Sequence, residues 1–413
     1  MNRRKFLQKA SLLSFSLLFP GLQGWALSGG SKIPGSKKLL VIFLRGAVDG
    51  LNVVIPYADS RYFELRPSIA IAAPGVQGGA LDLDGRFALN PALAPLLPAW
   101  KDRSMAFVHC CGSPDPSRSH FDAQDYMETG TPGSKMASTG WMNRLLEVLP
   151  DNHSALQAVN FGPTQARILE GPRSVASVQV GPGGVNKMPV DMPVIARSFE
   201  QLYSSGNDSM SRAFAEGMEA RRKIMGEMDQ EMVKASRGAP LPGSARNFGK
   251  QISRLFSRDQ TIQLAFLALG GFDTHVNQGS STGQLANHLT AVGEGLAEFI
   301  AGLGPVYKDT AIVVLSEFGR TVRENGNGGT DHGHGNVMWL FGGAVQGGKI
   351  FGHFPGLSDG DLFEGRDLPV TTDFRAVLSE VLVSHFEVTD SGLNKIFPGF
   401  KNSRLGALSV MKS

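Results

Sequence analysis

The chain has 413 residues, of which 42% are apolar and 19% are charged, and its formal net charge is +3. This length and composition suffice for a large buried core, in one big domain or two modest ones. Residues 1–26 hold four basic residues and no acid, so the net charge without them is −1, which gives no electrostatic case for binding nucleic acid or anionic lipid.

The N-terminus predicts a twin-arginine signal peptide over residues 1–26. Arg3 and Arg4 precede a short apolar stretch, and the small residues near its end suit a signal peptidase. The stretch is shorter than the roughly 20 residues that a membrane span needs, and an uncleaved N-terminal anchor is the alternative. The signal implies the twin-arginine translocase as a partner during export, and a periplasmic or otherwise exported location.

Residues 27–35 predict a Gly/Ser linker, and a single domain then spans residues 36–413. Apolar runs in this domain predict buried strands. In chain order the runs are KLLVIFLRG, MAFVHCCG, TIQLAFLALGG, TAIVVLS and NVMWLFGG. Helical periodicity predicts a helical insertion over about 198–256 and a long helix over 283–303. Strands alternating with helices predict an α/β fold, with a mostly parallel central sheet and helices on both faces.

Residues of metal-binding type stand beside four of these strands. The candidate metal ligands are Asp49 after the first strand, Asp273 and His275 after the third, Glu317 after the fourth, and Asp331, His332 and His334 in the loop before the fifth. Ligands gather outside the carboxyl ends of the strands in open α/β sheets, so these side chains together predict one site. Mixed carboxylate and imidazole donors favour zinc or manganese, with calcium or magnesium as alternatives. For any one of them alone, the alternative is a helix cap, a turn or a structural histidine.

A nucleophile is predicted at Ser119, in the loop that follows MAFVHCCG and enters a helix from about His120 to Glu128. The alternative role for Ser119 is an N-cap of that helix, and Ser117 is a rival nucleophile. A serine-esterase elbow at Ser281, in the G-x-S-x-G match over 279–283, is a weaker hypothesis because no strand runs directly into that turn.

The remaining cysteines and histidines are assigned to packing. Cys110 and Cys111 are neighbours at the end of a predicted strand, which predicts two buried thiols rather than a disulfide. Four histidines are also assigned to structure, namely His109, His288, His353 and His385.

Five motifs in this order resemble the exported bacterial family of unknown function called DUF1501, from about Leu39 to Phe397. They are RGAVDGLNVVIPYAD, SRSHFDAQDYMETG, GGFDTHVNQG, LSEFGRT and TDHGHGNVMWLFGGAVQGGKIFG. The resemblance implies the three-layer fold of the alkaline-phosphatase-like superfamily, which includes sulfatases and phosphomutases.

By this resemblance, Asp49 looks like the first metal ligand, Asp273 and His275 like one metal's pair, and His332 or His334 like the late histidine. Ser119 looks like the nucleophile, and Asp373 like a structural helix cap. The chain departs from the superfamily at Glu317-Phe318, which supplies one ligand where relatives often supply two. Pro114 stands where a sulfatase requires its formylglycine precursor, so a formylglycine sulfatase is not predicted.

The predicted function is a periplasmic, metal-dependent hydrolase of phosphate or sulfate esters, acting on a small molecule or a glycan. The alternative is an exported metal-binding or assembly protein that has the same fold and performs no chemistry.

Overall fold

The computed structural model describes residues 37–178 (apart from 152, 153, 155, 163 and 164), 234–401 and 408–412. The predicted signal peptide over 1–26, the linker over 27–35 and residues 198–233 of the predicted insertion lie outside the described residues. The chain from Ser36 onward groups as one compact unit.

A large, mostly parallel sheet forms the centre of that unit. In chain order its strands are β1 (Lys38–Leu44), β5 (Met105–Gly112), β6 (Ala158–Phe161), β7 (Ala176–Val178), β8 (Leu264–Leu269), β9 (Thr310–Leu315), β10 (Asn336–Gly342), β11 (Lys349–Phe351) and β12 (Thr372–Asp373). Their spatial order is β11-β5-β10-β9-β1-β8-β6-β7, and β12 pairs with β5. β10 runs antiparallel to both of its neighbours, whereas the other pairs are parallel. A small antiparallel sheet contains β2 (Val54–Ile55), β3 (Leu81–Asp82) and β4 (Ala88–Leu89).

Helices cover both faces of the main sheet. The α-helices are α1 (Ser60–Leu65), α2 (Leu97–Lys101), α3 (His120–Thr129), α4 (Trp141–Val148), α5 (Ala245–Arg258), α6 (Gln284–Leu303), α7 (Phe374–Phe386) and α8 (Asp390–Ile396). Short 3₁₀ helices span Gly50–Asn52, Pro91–Leu96, Arg167–Leu169, Pro242–Ser244, Gly304–Asp309 and Asp359–Asp361.

Every residue of β1 is buried, as expected for a parallel strand that is covered on both sides. Leu40 and Ile42 pack in one core with α5 and α6. Leu39 and Val41 pack in a second core with α4, α7 and α8. The period of two along the strand therefore divides its side chains between two helical layers.

The predicted α/β fold with a mostly parallel sheet is confirmed. Because β1, β5, β8 and β9 run in the same direction, their carboxyl ends meet at one edge of the sheet. The reversed strand β10 brings its first residue to that edge, so the loop between β9 and β10 leaves the edge and returns to it. Within the predicted insertion, residues 245–258 form α5, which packs on the sheet as part of the helical layer.

Candidate metal centre

Three histidine rings converge at this edge. His120 is the first residue of α3, His275 follows β8, and His332 precedes β10. His332 Nε2 lies 2.9 Å from His120 Nε2 and 3.0 Å from His275 Nε2. Three chain segments therefore bring three ring nitrogens of the same type together.

Asp273 completes this cluster, which we call the histidine–aspartate group (His120, His275, His332 and Asp273). Its Oδ1 lies 2.9 Å from His275 Nε2 and 3.3 Å from His332 Nε2, and its Oδ2 lies 3.4 Å from His120 Nε2. The carboxylate is buried, and Oδ2 has no hydrogen-bond partner. A buried carboxylate oxygen without a donor is costly unless a cation neutralises it.

The opposite nitrogen of each ring is held by an acceptor. His120 Nδ1 lies 2.8 Å from Glu317 Oε1, His275 Nδ1 lies 3.2 Å from Asp331 Oδ1, and His332 Nδ1 lies 3.0 Å from the Arg118 carbonyl oxygen. Acceptors at these positions assign the proton to Nδ1 and leave a lone pair on Nε2. A carboxylate or carbonyl behind a histidine is the usual second layer of a protein metal site.

These lone pairs and the Asp273 carboxylate repel one another unless positive charge lies among them. Ligand atoms bound tetrahedrally at roughly 2.0 Å from a metal stand roughly 3.3 Å apart. The ligand atoms of His120, Asp273 and His332 lie 2.9 to 3.4 Å apart, whereas His275 contacts His332 and Asp273 but falls outside the set whose ligand atoms all lie within 4.8 Å of one another. The donor types and their spacing therefore fit a divalent cation.

The pKa values of His120, Asp273 and His332 are shifted by burial and by the charges of their neighbours. Burial lowers the pKa of His120, but hydrogen bonds to Asp273 and Glu317 outweigh burial and raise this pKa to about 9. Burial raises the pKa of Asp273, yet its three histidine neighbours and Arg320 hold that pKa well below its ordinary value. Burial is the main cause of the lowered pKa of His332, and the positive charges of Arg320 and His120 lower this pKa further.

Arg320, which is itself held by Thr330, orients Asp273. Arg320 donates from Nη1 to Asp273 Oδ1 at 2.6 Å, and its Nε donates to Thr330 Oγ1 at 3.1 Å. The guanidinium is fully buried and also donates to the Thr330 carbonyl. Arg320 therefore fixes one carboxylate oxygen and leaves the other available to a cation.

Local sequence explains the position of His120. Ser119 caps α3 by accepting a hydrogen bond from the Asp122 N–H at 3.5 Å, and Gly130 ends the helix in the left-handed conformation. The cap starts the helix at His120, directly after the loop that leaves the carboxyl end of β5. The ring of Phe318 packs against the His120 ring, with centroids 4.9 Å apart.

Glycines allow the loop that carries His332 to approach the neighbouring backbone closely. A Cβ atom on Gly333 would lie 2.4 Å from the Arg320 carbonyl carbon, and one on Gly335 would lie 2.4 Å from the Pro369 carbonyl oxygen. These glycines bring His332 into the group but not His334. The His334 ring stacks on Phe363 instead, with centroids 4.6 Å apart.

Glu317 and Asp331 lie one layer behind the cluster of predicted ligands. Glu317 is fully buried, and its Oε1 accepts from the Gly46 N–H at 2.8 Å, His120 Nδ1 at 2.8 Å and Gln124 Nε2 at 2.9 Å. Asp331 accepts from His275 and is largely exposed. The geometry gives both carboxylates the role of holding a ring.

Asp49 belongs to a different hydrogen-bond network. Arg66 forks onto both of its oxygens, at 2.5 and 3.1 Å, and Gln278 Nε2 donates to Oδ2 at 2.7 Å. Asp49 therefore does not join the histidine–aspartate group.

Ser119 has an exposed side chain that acts as the helix cap, which is the alternative role stated above. Ser117 Oγ accepts from the Ser119 N–H at 3.2 Å. The Ser281 elbow lacks its strand, since β8 ends at Leu269 and the intervening residues form a loop.

Sequence reasoning missed His120 as a member of the group. The loop after β5 predicts a nucleophile at Ser119, and the prediction gives the neighbouring histidine no role as a ligand. Its position at the carboxyl end of a parallel strand is the same signal that identified Asp273 and His275.

Several residues assigned to structure have the expected environments. His109 is buried, with Nε2 3.2 Å from the Val54 carbonyl oxygen, and His385 Nε2 lies 3.0 Å from the Lys38 carbonyl oxygen. Asp373 caps α7 by accepting from the Arg375 N–H at 2.9 Å. Cys110 and Cys111 are free buried thiols.

An α/β sheet whose carboxyl edge holds three imidazoles and a carboxylate defines a candidate metalloprotein. The family model described as "Protein of unknown function (DUF1501)" matches residues 94–397, and the chain belongs to this family. No curated protein matches the sequence.

Solved structures of low sequence identity share part of the architecture. Ps i-CgsB in complex with k-i-k-neocarrahexaose has a TM-score of 0.44 at 12% identity, covering 91% of this chain and 77% of that one. A protein in the alkaline phosphatase superfamily from Vibrio parahaemolyticus has a TM-score of 0.37 at 13% identity, covering 76% and 62%. The lipoteichoic acid synthase LtaP from Listeria monocytogenes has a TM-score of 0.36 at 11% identity, covering 77% and 68%. The second belongs to the superfamily that the sequence motifs resemble. With TM-scores below 0.5, none of the three informs the chemistry of the site.

Proposed function

We propose that this protein is a metal-dependent hydrolase of phosphate or sulfate esters. One observation carries the proposal: three imidazole Nε2 atoms and a buried, unpartnered carboxylate oxygen converge at the carboxyl edge of the sheet. Ester hydrolysis uses a cation held in this way to stabilise charge that develops on oxygen.

The donors support zinc or manganese. Three imidazoles and one carboxylate suit these ions, whereas calcium and magnesium prefer oxygen ligands throughout. When bound, the cation would polarise an ester oxygen and lower the pKa of an oxygen nucleophile.

The residues of the chain prepare the site for that cation. Glu317, Asp331 and the Arg118 carbonyl oxygen hold the rings so that their Nε2 lone pairs converge. Asp273 and His120 are buried, whereas the His275 and His332 side chains are 17% and 18% exposed. Solvent and substrate therefore reach the group from the side of His275 and His332.

Ser119 is the proposed nucleophile, because it adjoins His120 and its hydroxyl is exposed. The N-terminus of α3 begins directly after it, and backbone N–H groups there favour a negatively charged ester group. In the competing route, water is the nucleophile and Ser119 serves the helix alone.

The test uses the full chain, stripped of metal and reloaded with zinc or manganese, on aryl phosphate and aryl sulfate esters. We expect turnover that needs the metal and that falls more than about 100-fold in Asp273→Asn, because the cation loses its only charged ligand. Turnover that persists after complete metal removal would contradict the proposal.

A second variant separates the two roles of Ser119. Ser119→Asn retains a capping side chain but removes the hydroxyl, so the helix survives while a serine nucleophile is lost. Loss of turnover with an unchanged melting temperature supports the nucleophile. Turnover retained in both Ser119→Asn and Ser117→Ala assigns attack to water, whereas loss in Ser117→Ala alone assigns it to the rival serine.

A second candidate function is a metal-binding or assembly protein without chemistry. The observation that favours it is the number of protein donors, since His275 adjoins two members of the set His120, Asp273 and His332, and closed four-donor shells are typical of structural zinc sites. Tight, stoichiometric metal with no turnover on a broad ester panel would support this candidate.

Export remains a proposal that rests on the sequence of residues 1–26. We propose that the twin-arginine translocase carries the folded protein to the periplasm. Fusing residues 1–35 to a reporter tests this, and we expect that replacing Arg3 and Arg4 by lysine stops export.

A further inference from the structure

The first predicted ligand, Asp49, already has a cation beside it. Its carboxylate is buried and accepts three hydrogen bonds, two from Arg66 and one from Gln278. Both carboxylate oxygens are therefore engaged. This differs from Asp273, whose Oδ2 has no hydrogen-bond partner.

Arg66 is equally committed. Its guanidinium is fully buried, and Nε donates to the Val322 carbonyl oxygen at 2.8 Å. Nη1 donates to Asn52 Oδ1 at 3.0 Å, and Nη2 to the Thr321 carbonyl oxygen at 2.9 Å. With the two bonds to Asp49, all five N–H groups of the guanidinium have acceptors. Moving Arg66 away would leave several buried acceptors without a donor, which is unfavourable.

The charges of this pair cancel. An arginine stays protonated at any pH a protein tolerates, so Asp49 is permanently neutralised by a group that cannot release its proton. A metal ion at Asp49 would have to displace a buried guanidinium of the same sign. Among the described residues, the ligand atoms of His120, Asp273 and His332 all lie within 4.8 Å of one another, and neither Asp49 nor His275 belongs to that set.

Gln278, a neutral side chain, takes part in the hydrogen bonds that run between Asp49 and Asp273. Its Nε2 donates to Asp49, and its Oε1 accepts from Thr274 Oγ1 at 2.7 Å and from Thr330 Oγ1 at 3.0 Å. Thr330 Oγ1 in turn accepts from Arg320 Nε, which belongs to the guanidinium that holds Asp273. A chain of hydrogen bonds through Gln278 and Thr330 therefore links the Asp49–Arg66 pair to Arg320 and Asp273.

We infer that the site takes one divalent cation per chain, and that the Arg66 guanidinium occupies the place beside Asp49 that a second cation would need. This inference rests on the metal centre of the proposed function and specifies its stoichiometry. A clamp of two cations on the attacking and leaving oxygens is then absent, and protein groups must serve one of those oxygens.

The test counts zinc ions alone. The full chain is stripped with chelator, reloaded with Zn²⁺ and passed through gel filtration, after which elemental analysis and calorimetric titration give the zinc content. We expect one zinc per chain in the wild type and in Asp49→Asn, and none in Asp273→Asn. Two zinc ions in the wild type, falling to one in Asp49→Asn, would overturn the inference.

A double variant guards against misfolding of the single one. Asp49→Asn combined with Arg66→Gln replaces the pair by neutral amides, so no buried charge is left alone. One zinc per chain in this variant supports the inference. If the loss of Asp49 and Arg66 lowers the count below one while the fold is retained, Asp49 is a ligand and the inference fails.

The outcomes separate this inference from the proposed function. One zinc ion per chain without turnover would contradict the hydrolase proposal and support the single-cation inference. Two zinc ions per chain with turnover would support the hydrolase proposal and contradict the single-cation inference. A folded wild type that binds no zinc would contradict both.

Discussion

A single buried carboxylate decides which nitrogen of His120 faces the cluster. Glu317 Oε1 accepts from Nδ1 at 2.8 Å and is itself fixed by the Gly46 N–H and Gln124. Because Glu317 already fixes the orientation of the His120 ring, binding a cation at Nε2 costs little further side-chain entropy. Contacts of this kind raise the basicity of a metal ligand and fix its tautomer.

We expect Glu317→Gln to weaken zinc affinity by about 10–100-fold, because a neutral amide holds the ring less firmly and supports its basicity less. Calorimetric titration of the metal-free protein measures the effect. Glu64→Gln is the matched control, since Glu64 is exposed and contacts Ser60 and Arg61 at the surface, away from the histidine–aspartate group. Equal affinities in wild type and Glu317→Gln would show that packing against Phe318 alone positions the ring.

Residue types and their spacing identified part of the site in advance. Asp273, His275 and His332 were predicted because each stands beside a strand end. Asp49 met the same criterion but is paired with Arg66, which is the C-cap residue of α1 and lies 17 positions further along the chain. No local pattern could reveal that pairing, because it depends on how α1 packs against the sheet edge. His120 was not predicted, because the adjacent Ser119 at the start of a helix was interpreted as the functional residue of that loop.

At the scale of elements, the strands were predictable because buried parallel strands are continuous apolar runs. The direction of β10 was not, since an apolar run does not encode its direction. The pairing of α5 with α6 also depends on positions that look unremarkable in the sequence. A Cβ atom on Gly249 of α5 would lie 2.1 Å from the Gly295 carbonyl oxygen of α6. The absence of a side chain there lets the two helices pack closely.

We expect Gly249→Ala to destabilise the protein by about 1–3 kcal/mol, because the added methyl group forces the helices apart and outweighs the gain in helix propensity. Urea unfolding measures the change. Gly243→Ala is the control, since a Cβ atom there would have nothing within 4 Å. A Gly249→Ala protein as stable as the control would contradict the close packing of α5 on α6.

At the scale of the whole molecule, the proposed cation and the fold would depend on each other. Three of the four residues in the histidine–aspartate group are histidines from separate segments, and the unfolded chain does not hold them together. Any ion that binds the folded state alone stabilises it, by about 4 kcal/mol at a free concentration a thousand times its Kd. The group also keeps a buried carboxylate that is costly when no cation is present.

We therefore expect removal of bound zinc by a chelator to lower the melting temperature, and re-addition of zinc to restore it. Scanning calorimetry at fixed protein concentration measures both. Asp273→Asn should show no response to the chelator, because it has lost the site. A wild type whose melting temperature ignores the chelator would show that the metal contributes nothing to the fold.

Acid should destabilise the molecule through buried histidines far from the metal centre. Burial lowers the pKa of His385 to about 4, whereas the ordinary value is 6.5. Between these values the unfolded chain binds a proton that the folded chain does not, so stability falls as the pH drops from about 6.5 to about 4. Above about pH 6.5, the contribution of His385 to the free energy of unfolding does not change with pH, because the ring is neutral in both states. The shift corresponds to about 3 kcal/mol.

We expect His385→Gln to lose about 3 kcal/mol less stability than the wild type between pH 7 and pH 4. The glutamine amide can still donate to the Lys38 carbonyl oxygen, which accepts from His385 Nε2 in the wild type. Denaturant unfolding across the pH range measures the difference. Parallel curves for the two proteins would exclude His385 as a source of acid sensitivity.

The ring nitrogens of His120 and His332 touch although 212 positions separate the two residues along the chain. A bound ion would tie these regions together, in a protein whose two cysteines are neighbours and cannot bridge distant segments. Release of such an ion must break its bonds to ligands on separate loops. Its exchange with isotope in solution should therefore be slow, and should become faster in variants that loosen one of those loops.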